Sequence, residues 1–370
     1  MSKDNMKKAA VIPPAYSSIA PKIQDVVEVS TIERREFETM PTSPMLHLTN
    51  QAINAFGAGR PIKANRNTTI GYGYSDKNPD MWSITSKNSN SELTLSIDSI
   101  GLLKTNNKGL KKCFAFILVQ CNDQHYSPEI GFPLQALVDN GMYSSISNAR
   151  RGIKDNIEKI MAMTFKGTSK KGKKVLEEQG GKLIYHYEIK NNYVTLSFNE
   201  KINVAFMAQY FTMIPKFAFA LSNNAFSLIE YIFFLARQNT RAIKEKGYFN
   251  ISLRAVRDYL NLPDESDTKK HSQYIRQPIE EAIEAIEEAN NNSSFTITPI
   301  YNEDCKSIKE WLDGYLQIGL KEEFAETFIK IADDTVKKVE QSQKRREKAL
   351  TLVEAKKIDQ AKDKKASGSK

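Results

Sequence analysis

Apolar and polar positions along this chain fall into two stretches with the same layout. From about Leu110 to Phe198, and again from about Phe226 to Leu320, the pattern predicts the same order. It runs apolar helix, short strand, second helix, long amphipathic third helix, β-hairpin. In the first stretch Leu110 to Val119 is almost continuously apolar, as a buried helix is. Glu129 to Phe132 is a short strand. Pro133 can open a helix to Asn140, because the first turn has no use for the missing N–H, and Gly141 ends it. Ser144 or Ser145 caps the next helix, which runs to about Met163. Its Ile146, Ala149, Ile153, Ile157 and Ile160 recur at spacings of 3, 4, 4 and 3, one apolar stripe. A lysine-rich loop over residues 167–174 follows. Strands Leu183 to Lys190 and Tyr193 to Phe198 then meet at an Asn191-Asn192 turn.

The second stretch repeats the order with different residues. Phe226 to Gln238 is an apolar helix and Tyr248 to Ile251 a short strand. Ser252 caps Leu253 to Asn261, and Pro263 stops that helix. A long helix is predicted from about Lys269 to Ala289, with a kink or restart at Pro278. Phe295 to Tyr301 and Gly314 to Leu320 are the hairpin strands. Ahead of both stretches, residues 1 to about 65 are proline-punctuated and read as weakly ordered, with a short helix over Met45 to Ala58. Tyr72, Tyr74 and Trp82 are strand candidates, and Glu92 to Ile97 alternates as a strand does. A helix continues beyond Lys321, and from about Gln341 the chain is a Lys-rich tail of low aromatic content.

This order describes a winged helix, twice. The expected fold class is α+β with two tandem winged-helix domains and flexible terminal segments. The expected divisions are residues 1–65, 66–200, 201–325 and 326–370. Two apolar runs require a membrane check. Gln209, Pro215 and Lys216 interrupt Val204 to Leu221, and Phe226 to Ala236 holds Glu230 and is too short to span. Two buried core helices are expected instead.

Charge sharpens the picture. The chain of 370 residues carries a formal net charge of +9. Lys337 to Lys370 holds 12 Lys/Arg against 5 Asp/Glu, and Ser144 to Lys182 holds 10 against 4, so the rest is slightly acidic. Two basic patches suit a polyanionic partner. The outward face of the first long helix presents Ser147, Asn148, Arg150, Arg151 and Lys154. These residue types reach phosphates and base edges, and they lie in the half of a recognition helix that enters the major groove. Lys170, Lys171, Lys173 and Lys174 would hold the phosphate backbone. A solvated helix with a charged hairpin has the same composition; the basic loop and the repeated layout favour duplex DNA. In the second stretch the matching face is Lys269, Lys270, His271, Gln273, Tyr274, Arg276 and Gln277. Glu280, Glu281, Glu284, Glu287 and Glu288 follow and repel phosphate, so only the first two turns could approach DNA.

Nothing points to catalysis, a cofactor or a metal. Gly167-Thr-Ser-Lys-Lys-Gly172-Lys173-Lys174 falls short of a phosphate-binding loop, because Lys174 stands where magnesium needs a hydroxyl. His47, His125, His186 and His271 are isolated, with no ligand-spaced partner. Cys113, Cys121 and Cys305 read as free thiols in a reducing cytoplasm. The charged opening Met1 to Lys8, with no apolar run behind it, reads as lacking a secretion signal.

Ile130-Gly-Phe-Pro-Leu-Gln-Ala-Leu137 and Tyr143-Ser-Ser-Ile-Ser-Asn-Ala-Arg-Arg151 carry a resemblance. So do Phe249-Asn-Ile-Ser-Leu-Arg-Ala-Val-Arg-Asp-Tyr-Leu260 and Ile275-Arg-Gln-Pro-Ile-Glu-Glu-Ala282. Over about residues 92 to 320 the chain resembles the replication initiator (Rep) proteins of plasmids and related mobile elements. The resemblance implies a non-enzymatic initiator that binds direct repeats at an origin. It also implies melting of nearby A·T-rich DNA and recruitment of a host helicase and initiator. Both modules would read DNA, and a homodimer would act as autorepressor. The acidic second helix and the first 65 residues depart from that pattern. A winged-helix transcription regulator and a protein-interaction scaffold without DNA binding are the alternatives.

Overall fold

In the computed structural model, the described residues are 37–42, 69–75, 78–87, 91–97, 109–124, 127–171, 174–199, 210–266, 268–291, 294–302, 304–322, 324–326 and 328–330. All belong to one unit, Val29–Val339. The helix expected over Met45 to Ala58, His125, Lys173 and the basic tail lie outside the described residues.

The fold is mixed α+β. In chain order the elements begin with strands β1 (Phe37–Thr42), β2 (Thr69–Ser75), β3 (Asn78–Lys87) and β4 (Ser91–Ile97). Helix α1 (Leu110–Asp123), strand β5 (Glu129–Pro133) and helices α2 (Leu134–Asp139) and α3 (Ile146–Met161) follow. Then come β6 (Met163–Lys171), β7 (Lys174–Lys182), β8 (Ile184–Lys190), β9 (Tyr193–Phe198) and β10 (Tyr210–Pro215). A 3-10 turn (Lys216–Ala220) leads into α4 (Asn223–Gln238), α5 (Thr240–Lys246), β11 (Tyr248–Ser252) and α6 (Leu253–Tyr259). A π turn (Ser272–Arg276) then runs into α7 (Gln277–Asn290), followed by β12 (Phe295–Ile300), α8 (Ile308–Leu312) and β13 (Tyr315–Leu320).

The repeated layout is present in the topology. Strands β5, β9 and β8 form a three-stranded sheet in that order, and β11, β13 and β12 form a second with the same first–third–second order. Each sheet joins three helices that match in sequence order: α1, α2 and α3, then α4, α6 and α7. The copies differ by their insertions. The first carries the β6–β7 hairpin after its third helix, and the second carries α8 between its last two strands.

Three elements depart from the sequence reading. Val204 to Leu221 was expected to be a core helix, but its described part is β10 and the 3-10 turn. Pro215 removes a helix donor, whereas Tyr210–Pro215 pairs antiparallel with Phe37–Thr42. That pairing places a strand within the first 65 residues. Residues 167–174 were expected to be a loop, yet they belong largely to β6 and β7, in a five-stranded sheet of order β2-β3-β4-β6-β7. Alternation explains this: Met163 and Phe165 are buried, Lys166 is exposed, and Phe165 lies opposite the buried Leu95. The third helix therefore ends at Met161, and Met163 starts a strand.

The core runs through both copies. Helix α1 is buried on nearly every side, from Leu110 through Val119 to Cys121, which a helix apolar all round requires. Burial raises the thiols of Cys113 and Cys121, which are free and unreactive in this setting. Phe219 of the 3-10 turn bridges the copies, 6.0 Å from Phe116 of α1 and 5.5 Å from Phe226 of α4 between ring centroids. Full burial of such a ring contributes roughly 1.5–3 kcal/mol. Lys112 donates to the carbonyls of Phe219 and Leu221 and ties α1 to the same turn. Phe37 of β1 stacks on Phe324 at 4.6 Å and meets Phe233 of α4 at 6.0 Å.

One polar cluster crosses this apolar seam. Lys111 of α1 pairs with Glu230 of α4 at 2.6 Å, their side chains 6% and 3% exposed. Lys111 also donates to Ser227, and Tyr259 of α6 donates to Glu230 at 2.9 Å. Burial pushes the Lys111 ammonium down from its ordinary value, and Glu230 opposes that shift. Replacing Lys111 with Met strands a buried carboxylate, so Lys111→Met should cost about 3–5 kcal/mol. Lys111→Met combined with Glu230→Met should recover most of that loss. Urea unfolding of the parent and both variants checks it; a double variant as unstable as the single one would show that the pair is not the source.

Candidate nucleic-acid interface

Helix α3 is fixed at its start by local chemistry. Helix α2 ends with Gly141 at φ +68°, where Gly141 N–H bonds Val138 O and Met142 N–H bonds Leu137 O. These are the two bonds of a Schellman stop. The second copy ends α6 the same way, with Asn261 at φ +53° and bonds from Asn261 to Asp258 and from Leu262 to Arg257. Ser145 then caps α3 by accepting from the Asn148 N–H at 3.3 Å. Tyr143 lies across the helix at Gly152, and its hydroxyl accepts from Asn156 at 3.2 Å.

The stripe Ala149, Ile153, Ile157 and Ile160 is fully buried, so the opposite face must point outward. Ser147, Asn148, Arg150, Arg151 and Lys154 are all exposed there. Positions 147, 150, 151 and 154 share one stripe of the helix. Asn148 donates to Ser144 and accepts from Arg151 at 3.4 Å, while Lys154 stands 4.0 Å from Glu158. These are loose surface contacts that a phosphate can replace at little cost.

Sequence reasoning missed the hairpin tip as part of this face. Asn191 and Asn192 have φ of 51° and 59°, the paired left-handed geometry of a type I′ turn. Arg150 donates to the Asn192 side-chain oxygen at 3.1 Å. Tyr185 and Tyr193 of the same hairpin are 61% and 46% exposed. The Tyr193 ring lies over Gly131, where any Cβ would stand 2.5 Å from it. Tyr187 donates to Glu158 at 2.8 Å and holds β8 against α3. The one available signal was the Asn-Asn turn, which gives a hairpin but not its neighbour across the fold.

The lysines expected to grip phosphate sit elsewhere. Lys170, Lys171 and Lys174 are at the tip of the β6–β7 hairpin, where Lys171 pairs with Lys174 in register. They belong to the five-stranded sheet and not to the β5-β9-β8 sheet beside α3.

The second copy presents a different face. Lys269 and Lys270 are exposed and precede the helix, and Gln273, Tyr274 and Gln277 are exposed on its first turns. Gln277 donates to Glu281. Arg276 is half-covered, with its side chain 38% exposed. It pairs with Glu280 at 2.7 Å and lies over Tyr301 and Trp311, 5.8 and 5.7 Å from their centroids. The interruption expected at Pro278 takes the form of the π turn, in which Gln277 N–H reaches back to Ser272 O. A proline ring crowds the carbonyl four residues earlier, and widening the turn relieves that contact. Glu281, Glu284, Glu287 and Glu288 are exposed along the later half.

An arginine clamp sets where that helix starts. Arg257 of α6, 5% exposed, pairs with Asp258, Asp264 and Glu265, and Arg254 pairs with Glu265 and Asp313. Partial burial works to raise the Glu265 carboxyl. Its own backbone N–H, Arg257 and Arg254 outweigh that and hold it at about 2.

No protein-family model and no curated protein matches the chain. Among solved structures it is similar to domains 2 and 3 of RctB. A crystal structure of selenomethionine derivatives of those domains has 10% identity and a TM-score of 0.44, covering 72% of this chain and 98% of that one. A second crystal structure of RctB domains 2-3 has 10% identity and a TM-score of 0.38, covering 72% and 95%. Among the described residues no group of three or more His, Cys, Asp or Glu could hold a metal ion. No helix among them is long and apolar enough to cross a membrane.

Gly152→Ala tests the seating of α3. Alanine is ordinarily better in a helix by about 1 kcal/mol. Here its Cβ would stand 2.3 Å from the Tyr143 ring. A net loss of roughly 1–3 kcal/mol is expected from overpacking, read by urea unfolding. Glu265 gives a pH signature. Its folded value lies below the ordinary 4.5, so its stabilisation is present above that value and fades as pH falls towards 2. The stability gap between the parent and Glu265→Gln should narrow over that window; a constant gap would mean the clamp is not electrostatic.

Proposed function

We propose that this chain is a sequence-specific double-stranded DNA-binding protein of the replication-initiator kind, built from two winged-helix modules over residues 66–200 and 201–325. It acts by binding and not by covalent chemistry. The observation that carries the reading is the exposed face of α3, where Ser147, Asn148, Arg150, Arg151 and Lys154 stand together beside the Asn191–Asn192 hairpin tip. A capped helix whose first turns carry Arg and Asn, flanked by a β-hairpin, suits a major groove with its adjacent backbone.

Within this face Arg150 is assigned to a base edge, and Ser147, Asn148, Arg151 and Lys154 line the groove and hold phosphates. Lys170, Lys171 and Lys174, on a separate hairpin of the five-stranded sheet, extend the contact together with Lys173, and their added positive charge steepens salt dependence. In the second module Lys269, Lys270, Gln273 and Tyr274 approach DNA, and Gln277 marks the limit. Arg276 keeps Glu280 and the aromatic pair as its partners and serves the module's own packing. The exposed glutamates beyond it, beginning with Glu281 beside Gln277, repel phosphate and end the contact there.

As an initiator in the cytoplasm, the protein binds direct repeats at an origin, opens nearby A·T-rich DNA and recruits a host helicase or initiator, with a homodimer as its repressing form. Sequencing of source-genome and plasmid fragments retained at about 150 mM salt, where non-specific binding is weak, tests this. Direct repeats beside an A·T-rich stretch are expected, with permanganate reactivity there on binding. Scattered promoters without opening would make it a regulator, and no enrichment would make it a protein scaffold. On the selected site Arg150→Ala should cost roughly 1–3 kcal/mol and relax one base position. Lys171→Ala should weaken all DNA alike and lower the salt slope; equal losses on specific and random DNA for Arg150→Ala would remove its base-reading role.

A further inference from the structure

Three elements of the first module meet at one residue. Asn192 sits in the left-handed half of the hairpin turn, at φ 59°. Its backbone carbonyl accepts from the Leu134 N–H at 2.8 Å, at the first residue of α2. Its side-chain oxygen accepts from Arg150 of α3 at 3.1 Å. The hairpin tip is therefore joined to the start of α2 and to the outward face of α3. The neighbouring Tyr193 is seated over Gly131, which fixes the strand that leaves the turn.

We infer that Asn192 is a positioning residue for Arg150, so that the hairpin tip sets the direction of the arginine fork before DNA arrives. This rests on the DNA-binding reading above. A long arginine side chain on an exposed helix face samples many rotamers, and ordering it on binding costs affinity. Among the described residues Arg150 donates to the amide oxygen of Asn192 and to no carboxylate. A neutral amide holds one guanidinium donor and leaves the others directed outward. It also yields no charge to compete with a guanine edge or a phosphate. Tied in this way, α3 and the hairpin form one reading head, and Asn192 decides specificity without having to touch a base.

The test is a double-mutant cycle on DNA, run with the full chain. The parent is first used to select its site, and Arg150→Ala identifies the base position whose preference relaxes. Asn192→Gly keeps the positive φ and the backbone carbonyl but removes the side-chain acceptor. It should lose roughly fivefold to tenfold of the discrimination at that base and little elsewhere. Its thermal midpoint should stay near the parent's. Adding Asn192→Gly to Arg150→Ala should cost nothing further in discrimination. Asn192→Asp keeps an acceptor in a residue that tolerates the turn but adds a charge that competes for the guanidinium, so it should keep its coupling to Arg150 in the cycle while lowering affinity for all DNA.

Full discrimination in Asn192→Gly, or additive losses in the double variant, would overturn the positioning role and leave the DNA reading intact. Should Asn192→Gly fail to fold, a folded Asn192→Asp whose losses simply add to those of Arg150→Ala would overturn it as well. A parent that selects no site would overturn the DNA reading and this inference together.

Discussion

Lys111 and Glu230 face each other at 2.6 Å inside an otherwise apolar seam, and neither charge has water to turn to. A pair so placed tolerates little displacement, because separating the charges leaves each one desolvated and unsatisfied. Tyr259 and Ser227 complete the hydrogen bonding, so helices α1, α4 and α6 are held at one relative register. The surrounding contacts are less selective. Phenylalanines such as Phe116, Phe219, Phe226 and Phe233 bury much more area, but apolar surfaces can slide past one another at modest cost. The charge pair gives direction to what the rings supply in strength. Any surface that the first copy presents is thereby referred to the second.

The two copies show how one frame carries opposite chemistry. Both stop their second helix with the same pair of backbone bonds, around Gly141 in one and Asn261 in the other. Both place a third helix against a three-stranded sheet of the same order. In the first, the outward face of α3 is basic: Asn148, Arg151 and Lys154 hold loose surface contacts, and Arg150 meets the Asn192 amide. In the second, arginines pair with the chain's own carboxylates: Arg257 and Arg254 bind the acidic residues of the turn, and Arg276 binds Glu280 beside Tyr301 and Trp311. Helix α7 is left with exposed glutamate. An arginine count therefore says little about a face until each guanidinium is assigned to a partner.

Much of the candidate interface was legible, and the reason is locality. Ser147, Asn148, Arg150, Arg151 and Lys154 follow from a 3.6-residue period within one helix, and the cap at Ser145 lies three residues from its donor. The Asn191-Asn192 turn is equally local. The tie between Arg150 and Asn192 spans 42 positions, and no periodicity reports a contact of that separation. Arg276 shows a second non-local pairing: Tyr301 and Trp311 arrive from later in the chain to lie beside its guanidinium. The lysine-rich stretch of residues 167–174 reads as a loop in isolation; it becomes strand because β4 offers an edge and buries Phe165 opposite Leu95.

By itself the sequence determined the main helices of the two repeated stretches, their stops and caps, and the polarity of each helix face, since these depend on residues within one or two turns of each other. The tertiary structure alone decided which strands pair, as with Phe37–Thr42 against Tyr210–Pro215. It also decided that Lys111 is buried against Glu230, and which arginines remain available to a partner. Those outcomes depend on contacts between distant segments, and burial and pairing acquire a sign only when both partners are in place.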